Sequence, residues 1–283
     1  MPAMEEVARG FIKDKMHSNL SETVEYHLVL DTGKLALNPL IGEKIQIEYL
    51  GKSQCLHCSD PRVFNQGYCF RCTQKLPQCD FCILSPDKCH FNEGTCRDEQ
   101  FAQSHCFIPH LIYLSYSSHI KVGLTRKGNE KTRWIDQGAL AGLPLLELEN
   151  RRAAGKIEAM MKTWFSDRTS WQKMLKEERA DLEALNTARS HALQQLDSLG
   201  SDRLQNLAEQ GLKIITDQEP TRINYPVRLH PEKVKSIDLK KAGMVTDRLL
   251  GIKGQYLIFE NVVMNLRKYQ GFQVKIGAGP KIS

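Results

Sequence analysis

Four cysteines between residues 55 and 72 have the spacing of a metal site. They form two pairs, Cys55-x2-Cys58 and Cys69-x2-Cys72, with ten residues between the pairs. A C-x-x-C turn presents two thiolates to one ion, and a second such turn completes a tetrahedron. The alternative is a group of reduced cysteines packed in a core, but buried cysteines rarely come in such pairs. We therefore predict a four-cysteine zinc site here.

A second set of four cysteines follows directly, at Cys79, Cys82, Cys89 and Cys96. Zinc is again the leading interpretation. An iron–sulfur cluster also takes four cysteines, and this spacing does not exclude one. Three further candidate ligands lie beside the set, namely His90, His105 and Cys106. Which of these residues bind the second metal therefore stays open, and Cys106 has no assignment.

The density of cysteines points to metal rather than to disulfides. Eight of the nine cysteines fall between Cys55 and Cys96, and the first residues of the chain do not have the pattern of a secretory signal. In a reducing cytosol such a density is typical of metal binding. Both sites have four protein ligands and no open position, which is the arrangement of structural sites rather than catalytic ones. We expect a cytoplasmic protein with two structural metal sites.

Another group of polar residues lies between Tyr113 and Glu158, along a pattern of strand, turn, strand, short helix, strand and helix. Ile112-Tyr113 and Lys121-Val122-Gly123 mark the first two strands. Arg133 follows ten residues after Gly123, and Glu158 lies on the later helix. This ordered set resembles the GIY-YIG nuclease domain, in the branch that carries Lys-Ile-Gly at the second motif.

The resemblance implies a role for each of the four residues. Glu158 would hold Mg²⁺ or Mn²⁺, which would polarise a phosphodiester and stabilise the leaving oxygen. Arg133 would stabilise charge that develops on the phosphate, because its fork suits phosphate oxygens. Tyr113 would orient or deprotonate the attacking water. Lys121 would neutralise phosphate, and would act as a base only with a lowered pKa.

The sequence also departs from the GIY-YIG pattern. Leu111 replaces the first glycine, and Lys121 stands where many members have tyrosine. Asp136 and Gln137 occupy the place of a histidine one helical turn after Arg133. These departures favour phosphate binding over cleavage. Taken singly, each of these residues is better explained as an ordinary strand or surface residue, and it is the ordered set in matching elements that supports the resemblance.

Other strings resemble a bacterial family of unknown function, domain of unknown function 2797. They are Cys89-His90-Phe91-Asn92-Glu93-Gly94-Thr95-Cys96, Lys121–Arg126, Thr132–Ala139 and Gly251–Ile258. This resemblance covers nearly the whole chain. It implies a bacterial, cytoplasmic setting and supplies no activity.

Hydrophobic periodicity and turn residues predict the elements that position these groups. The predicted strands are Val24–Leu30, Lys44–Leu50, Leu111–Tyr116, Ile120–Leu124, Leu143–Leu148, Ile223–Val227, Gly254–Phe259 and Phe272–Ile276. The predicted helices are Lys131–Gln137, Arg151–Phe165, Asp181–Leu196 and Leu204–Leu212. The fold class is therefore α+β, with a small C-terminal sheet or barrel that the N-terminal strands can join. Trp134 has two interpretations, base stacking or core packing, and core packing is favoured.

We predict five segments along the 283 residues. They are an N-terminal β segment (1–54), a cysteine-rich metal-binding segment (55–106), a GIY-YIG-like core (107–168), a helical segment (169–219) and a basic, β-rich C-terminal segment (220–283). Residues 111–168 have ten Lys and Arg against six Asp and Glu, and residues 220–283 have twelve against four. Such surpluses suit a nucleic-acid partner. No apolar run has the length of a membrane span, so no membrane partner is expected.

Three functions remain open from the sequence. The first is a metal-dependent nuclease that acts on DNA or RNA. The second is a zinc-stabilised nucleic-acid-binding protein whose divergent GIY-YIG-like core positions phosphates without cutting them. The third is a non-catalytic protein-interaction scaffold. The departures from the GIY-YIG pattern favour the second function over the first, and the basic segments favour both over the third.

Overall fold

The computed structural model describes residues 4–165, 170–199 and 211–279. The chain divides into two compact units, one of Met1–Gln74 with Asn224–Ser283 and one of Lys75–Ile223. None of the helices in the described ranges has the length and apolar character needed to span a bilayer. The five segments predicted from the sequence stay a prediction about chain organisation.

The described residues contain both strands and helices, which confirms the α+β class. The strands are β1 (Glu5–Phe11), β2 (His17–Asn19), β3 (Glu25–Leu30), β4 (Gly33–Ala36), β5 (Lys44–Ser53), β6 (His110–Tyr116), β7 (Ile120–Arg126), β8 (Ala141–Leu148), β9 (Lys213–Ile214), β10 (Thr221–Arg222), β11 (Met244–Lys253), β12 (Tyr256–Phe259), β13 (Val263–Asn265) and β14 (Phe272–Ala278). The helices are α1 (Phe70–Lys75), α2 (Glu99–His105), α3 (Glu130–Asp136), α4 (Arg151–Met161), α5 (Trp171–Lys176), α6 (Leu182–Asp197) and α7 (Leu239–Ala242). Short 3-10 helices cover Asn38–Leu40, Pro77–Cys79, Phe81–Ile83, Pro86–Lys88, Phe91–Glu93 and Leu266–Tyr269.

The first unit is built on a six-stranded antiparallel sheet in the order β1-β14-β5-β11-β12-β13. The C-terminal strand β14 lies between the N-terminal strands β1 and β5, with Ile276 opposite Ile47. Alternate side chains of these strands, such as Ile45, Ile47 and Val274, are buried because successive residues of a strand face opposite sides. The prediction that the two ends of the chain share a sheet is therefore confirmed.

A separate three-stranded antiparallel sheet, β2-β3-β4, belongs to the same unit. Tyr26 and Leu28 of β3 are buried within the unit. The buried side chain of Gln255 accepts a hydrogen bond from the Met16 backbone N–H at 2.8 Å and donates to the Met16 carbonyl at 3.1 Å. These two bonds satisfy backbone groups at Met16 that burial would otherwise leave unpaired.

The second unit is built on an antiparallel sheet in the order β10-β8-β6-β7, with β9 also paired to β8. Strand β6 is central and almost wholly buried, because helices cover both faces of the sheet. Ile112 and Leu114 join α4 and α6 in one hydrophobic core. Tyr113 lies between them in sequence and therefore faces the opposite side, where its ring meets Trp134 of α3 edge-on at 5.9 Å.

The cysteine-rich part of this unit has little regular structure. Four of the 3-10 helices lie between Pro77 and Glu93, and α2 follows with Asp98 as its N-cap. The Pro86–Lys88 turn packs directly on α4, where a side chain at Gly155 would collide with the backbone of Asp87. Glycine at position 155 therefore permits this close approach.

Most predicted elements are confirmed, with boundaries that differ by a few residues. Two predictions need comment. Residues Ile223–Val227 were predicted as a strand, and this is wrong, because this stretch forms only an isolated bridge between Val227 and Gly251. Pro226 within it has no N–H to donate to a neighbouring strand. The helix predicted at Leu204–Leu212 falls largely outside the described residues.

Packing of Trp134 generates a stability prediction. Trp134 is buried, as the core interpretation predicted, and its indole ring lies against Gly142 of β8. A Cβ atom at position 142 would overlap that ring. Gly142→Ala is therefore expected to lower the free energy of unfolding by about 1–3 kcal/mol, the usual range for overpacking a core. Urea denaturation followed by tryptophan fluorescence measures the difference.

The matched control adds one atom at an exposed position of α4. Ala159→Ser is expected to change the free energy of unfolding by no more than about 0.5 kcal/mol. Equal stability of Gly142→Ala and the wild-type protein would contradict the tight packing described here.

Candidate metal centre and basic cleft

The first cysteine set converges in the first unit. The Sγ atoms of Cys55, Cys58, Cys69 and Cys72 all lie within 4.8 Å of one another. Cys58 Sγ lies 3.6 Å from both Cys69 Sγ and Cys72 Sγ. Four sulfurs at about 2.3 Å from a tetrahedral zinc ion lie about 3.8 Å from one another. The quartet therefore has the dimensions of a single-ion site.

The local chain geometry explains why these sulfurs meet. Cys55 follows the end of β5, and its N–H donates to the Asp60 carbonyl at 2.7 Å in a tight turn. Ser59 adopts a positive φ of 60° within that turn. Cys69 directly precedes α1, and Cys72 lies in the first turn of this helix. The turn and the helix start thus present two sulfurs each, as the spacing predicted.

The thiols of this quartet affect one another's ionisation. Burial opposes ionisation of Cys55, but backbone N–H groups of Cys58, Cys69 and His57 lower the pKa of its thiol to about 6. Burial and the three neighbouring thiols raise the pKa of Cys72. One thiolate therefore forms easily while the next is opposed by its neighbours. A divalent ion removes this repulsion and allows all four to bind as thiolates.

The second predicted set, Cys79, Cys82, Cys89 and Cys96, does not converge in the same way. Among the described residues of the second unit, the ligand atoms that lie within 4.8 Å of one another are those of Asp80, Cys82 and His90. All nine cysteines are free thiols. The structure therefore brings together the first predicted quartet and not the second as ligands of one ion.

A basic cleft of about 190 Å³ lies along the edge strand β7 of the second unit. Residues 121–124 of β7 line one side. The charged lining consists of Lys121, Arg133, Arg151, Lys162 and Glu158. Four cations thus face one carboxylate, and the cleft has a clear positive excess. Lys121, Arg133 and Glu158, three of the four candidate catalytic residues, meet here.

Tyr113, the fourth candidate, lies directly beside the cleft. It is paired with Gly123 across β6 and β7, and a side chain at Gly123 would overlap its hydroxyl group. The hydroxyl donates a hydrogen bond to Gln137 Oε1 at 2.9 Å. Burial raises the pKa of Tyr113, although the neighbouring Arg133 and Gln137 oppose that shift. Tyr113 is therefore a neutral hydroxyl donor at ordinary pH.

Glu158 is the carboxylate of the cleft. It is buried, and its Oε2 atom lies 3.3 Å from Nζ of Lys162, the C-cap residue of α4. Burial raises the pKa of Glu158 above its usual value, while Lys162, Arg133 and Arg151 oppose the shift. The three cations offset part of the effect of burial, and the net shift of the Glu158 pKa stays upward.

Two arginines of the cleft carry hydrogen-bond donors without acceptors. The Nε atoms of Arg133 and Arg151 are buried and have no hydrogen-bond partner among the described residues. Arg151 does use Nη2, which donates to the Ile83 carbonyl at 2.6 Å. A buried N–H without an acceptor is costly, so the fold leaves one unsatisfied donor on each of these two arginines.

The comparisons with known proteins identify a family. Residues 42–274 match the family described as Protein of unknown function (DUF2797). The chain belongs to this family. The matched residues include both cysteine sets and all the residues that line the cleft. Both features therefore lie within the part of the chain that matches the family. Curated proteins and solved structures gave no significant match.

Three polar residues that line the cleft were not among the site residues predicted from the sequence, namely Gln137, Arg151 and Lys162. The pairing of Lys162 with Glu158 could have been predicted from the sequence, because residues four apart along a helix lie on the same side. Gln137 and Arg151 carry no comparable signal. Gln137 is placed by the end of α3, and Arg151 by the first turn of α4.

The cysteine quartet of this DUF2797 protein generates a metal-binding prediction. Cys72→Ala leaves three thiolates and an open position, so it should weaken zinc binding by more than ~100-fold, beyond the effect of losing an outer-shell partner. Competition of the purified protein with a chromophoric chelator measures the zinc affinity. Zinc retained with wild-type affinity by Cys72→Ala would exclude this quartet as the ligand set.

The matched control is His57→Ala. His57 is exposed between Cys55 and Cys58, and only its backbone N–H faces the Cys55 sulfur. The alanine variant keeps that N–H, so it is expected to bind zinc as tightly as the wild-type protein.

Proposed function

We propose that this protein is a metal-stabilised nucleic-acid-binding protein whose basic cleft holds the phosphodiester backbone of DNA or RNA. The observation that carries the proposal is the convergence of Lys121, Arg133, Arg151 and Lys162 on one cleft. The single carboxylate, Glu158, leaves this group of side chains with a positive excess. A phosphate group is the anion that such a set of donors suits best.

The unpaired arginine donors support an anionic ligand. Arg133 and Arg151 each hold a buried Nε that lacks an acceptor in the described part of the chain. Burial also lowers the pKa of Arg151, which reflects the cost of keeping its charge away from water. A phosphate group in the cleft would supply a counter-charge to these two guanidinium groups and offset that cost.

The size of the cleft supports a backbone phosphate rather than a free metabolite. Its volume of about 190 Å³ is well below the ~300 Å³ at which pockets for drug-sized molecules begin. It lies along an edge strand, so a polymer can pass by while one phosphate enters. Residues 111–168, which include the cleft, carry ten Lys and Arg against six Asp and Glu. This charge would attract a polyanion at low salt.

The resemblance to the GIY-YIG nuclease domain agrees with the proposal. The β6–β7 hairpin, α3, β8 and α4 follow one another in the order that the resemblance implies. Tyr113, Lys121, Arg133 and Glu158 occupy these elements and lie in or beside one cleft. The zinc quartet of the first unit would then be a structural support.

Arg133 provides the direct test of nucleic-acid binding. Arg133→Ala is expected to lower the affinity for labelled single-stranded DNA, duplex DNA or RNA by about tenfold or more, because the substitution removes a guanidinium group from the cleft. The slope of log affinity against log salt should also fall by about 1, since one phosphate contact is lost. Fluorescence anisotropy across a salt series measures both quantities.

The matched control is Lys131→Ala on the same helix. Lys131 is exposed and does not line the cleft, and its removal changes the net charge equally. It is expected to reduce affinity much less than Arg133→Ala. Equal losses in the two variants would contradict a specific cleft, and absence of binding would favour the protein-interaction scaffold.

A second candidate function, metal-dependent cleavage of a phosphodiester, is favoured by Glu158. This buried carboxylate lies in the same cleft as Arg133 and close enough to Tyr113 to affect its pKa. One carboxylate together with substrate phosphate oxygens is a usual environment for Mg²⁺. Glu158 would hold that ion, which would act as a Lewis acid on the phosphate. Arg133 would stabilise charge on the phosphate, and Tyr113 would orient water.

Glu158→Gln tests cleavage separately from binding. The amide keeps the shape of the side chain and loses the charge, so Mg²⁺- or Mn²⁺-dependent cleavage should disappear while binding is retained or strengthened. In the wild-type protein, cleavage should fall as the pH decreases through the raised pKa of Glu158, because the protonated acid no longer binds metal. Gel analysis of labelled substrates over a pH series measures both effects.

Asp136→Asn serves as the control, since Asp136 lies on α3 and does not line the cleft. It is expected to leave cleavage unchanged. Cleavage that persists in both Glu158→Gln and Arg133→Ala would point to a contaminating nuclease and overturn this second candidate.

A further inference from the structure

The segment 77–98 of the second unit is centred on a carboxylate instead of an apolar side chain. Among its residues, all of which the structure describes, Asp80 and Pro86 alone are buried. The segment consists largely of short 3-10 helices, and the cysteines it contains are free thiols. A stretch of chain with so small an apolar core usually relies on a disulfide or a metal to hold its shape. The contacts of Asp80 therefore show what the segment is built around.

The two carboxylate oxygens of Asp80 have different partners. Oδ2 accepts a hydrogen bond from Nε of Arg97 at 2.8 Å. Oδ1 accepts a hydrogen bond from the Cys82 N–H at 3.2 Å and lies 3.2 Å from Nε2 of His90. Arg97 is itself held by a hydrogen bond from Nη1 to the Leu76 carbonyl at 2.9 Å. Arg97 thus fixes one oxygen of the carboxylate, and the other oxygen faces His90.

The hydrogen bonds of His90 assign its tautomer. The Thr95 hydroxyl donates to the His90 carbonyl at 3.3 Å, and the same Oγ1 atom lies 2.7 Å from Nδ1 of the imidazole. Because a hydroxyl has only one proton to donate, Oγ1 accepts a hydrogen bond from Nδ1. The neutral imidazole then has its proton on Nδ1 and a lone pair on Nε2. That lone pair faces Oδ1 of Asp80, so two electron-pair donors meet at this point.

The separation of these two donors fits a shared metal ion. A charge-assisted hydrogen bond between a protonated imidazole and a carboxylate has a length of about 2.7–2.9 Å. Two ligands at about 2.0–2.1 Å from a tetrahedral zinc ion lie about 3.3 Å from each other. The observed distance of 3.2 Å between His90 Nε2 and Asp80 Oδ1 is closer to the second value.

Cys82 completes a group of three ligands. Its Sγ atom lies within 4.8 Å of the ligand atoms of Asp80 and His90. Asp80 is the N-cap of the 3-10 helix Phe81–Ile83, so a single turn supplies both the carboxylate and the thiol. The ring of Phe81 stacks on the imidazole of His90, with 5.1 Å between the ring centroids. A carboxylate, a thiol and an imidazole are the three kinds of side chain that zinc prefers.

We propose that Asp80, Cys82 and His90 bind a second zinc ion, with water in the fourth coordination position. The Cys82 thiol binds as a thiolate and releases its proton. Thr95 and Arg97 are positioning residues, because they orient the imidazole and the carboxylate without contacting the ion. The site is separate from the cysteine quartet and from the nucleic-acid binding proposed for the cleft, so its test does not depend on either.

The test is the zinc content of the full chain after saturation with zinc and removal of the excess. The wild-type protein should hold about two zinc ions per chain, and His90→Ala about one. Thr95→Val keeps all three ligands and loses the hydroxyl that orients His90, so it should weaken the second ion by about 10- to 100-fold. Elemental analysis and competition with a chromophoric chelator measure these quantities.

The matched control is Cys96→Ala in the same segment. The Sγ atom of Cys96 contacts the Asp98 carbonyl at 3.5 Å and does not belong to the group of three ligands. This variant should keep about two zinc ions per chain. Loss of the second ion in Cys96→Ala, together with its retention in His90→Ala, would overturn the ligand set.

A cobalt titration of the wild-type protein decides the question if His90→Ala fails to fold, which circular dichroism would reveal. Thiolate-to-cobalt absorption grows with the number of bound thiolates, so the quartet and the second site should contribute in a ratio of about four to one. Equal contributions would indicate a second site with four cysteines and overturn the proposal. Binding of a single cobalt ion per chain would overturn it as well.

Discussion

The register between β6 and β7 is the constraint on which the cleft depends. It places Gly123 opposite Tyr113, so that the Tyr113 hydroxyl can occupy the space of a missing side chain. The same register sets Lys121 on the face that Tyr113 occupies, because side chains alternate along a strand. A slip of one residue would turn Lys121 towards the hydrophobic core formed with α4 and α6.

Like charges crowded into small volumes are the second organising feature. The Cys55–Cys72 quartet concentrates thiols that repel one another when they ionise, and the cleft of the second unit concentrates cations around Glu158. Neither arrangement is favourable by itself, because charges removed from water need a counter-charge close by. A thiophilic metal would meet the first need, and in the function proposed above a phosphate group would meet the second.

The sequence could anticipate much of the fold because its signals are local. Periodicity placed β6, β7, α3 and α6 close to their observed bounds, and two-residue spacings identified the first cysteine quartet. The prediction of a strand at Ile223–Val227 is wrong. It gave more weight to the apolar residues than to Pro226, which has no N–H to donate to a neighbouring strand. The second cysteine quartet was harder, because spacings of six residues are compatible with several sets of ligands.

The sequence by itself determined the α+β class, the first cysteine quartet and the order of Tyr113, Lys121, Arg133 and Glu158. Each of these depends on residue type and on spacing along a strand, helix or turn. Only the tertiary structure decided that Arg151 joins the cleft and that Cys106 approaches Cys89. These contacts arise where α2 and the Pro86–Lys88 turn pack on α4. Contacts between distant segments produce no periodic pattern along the chain, so the spacing of residues alone could not predict them.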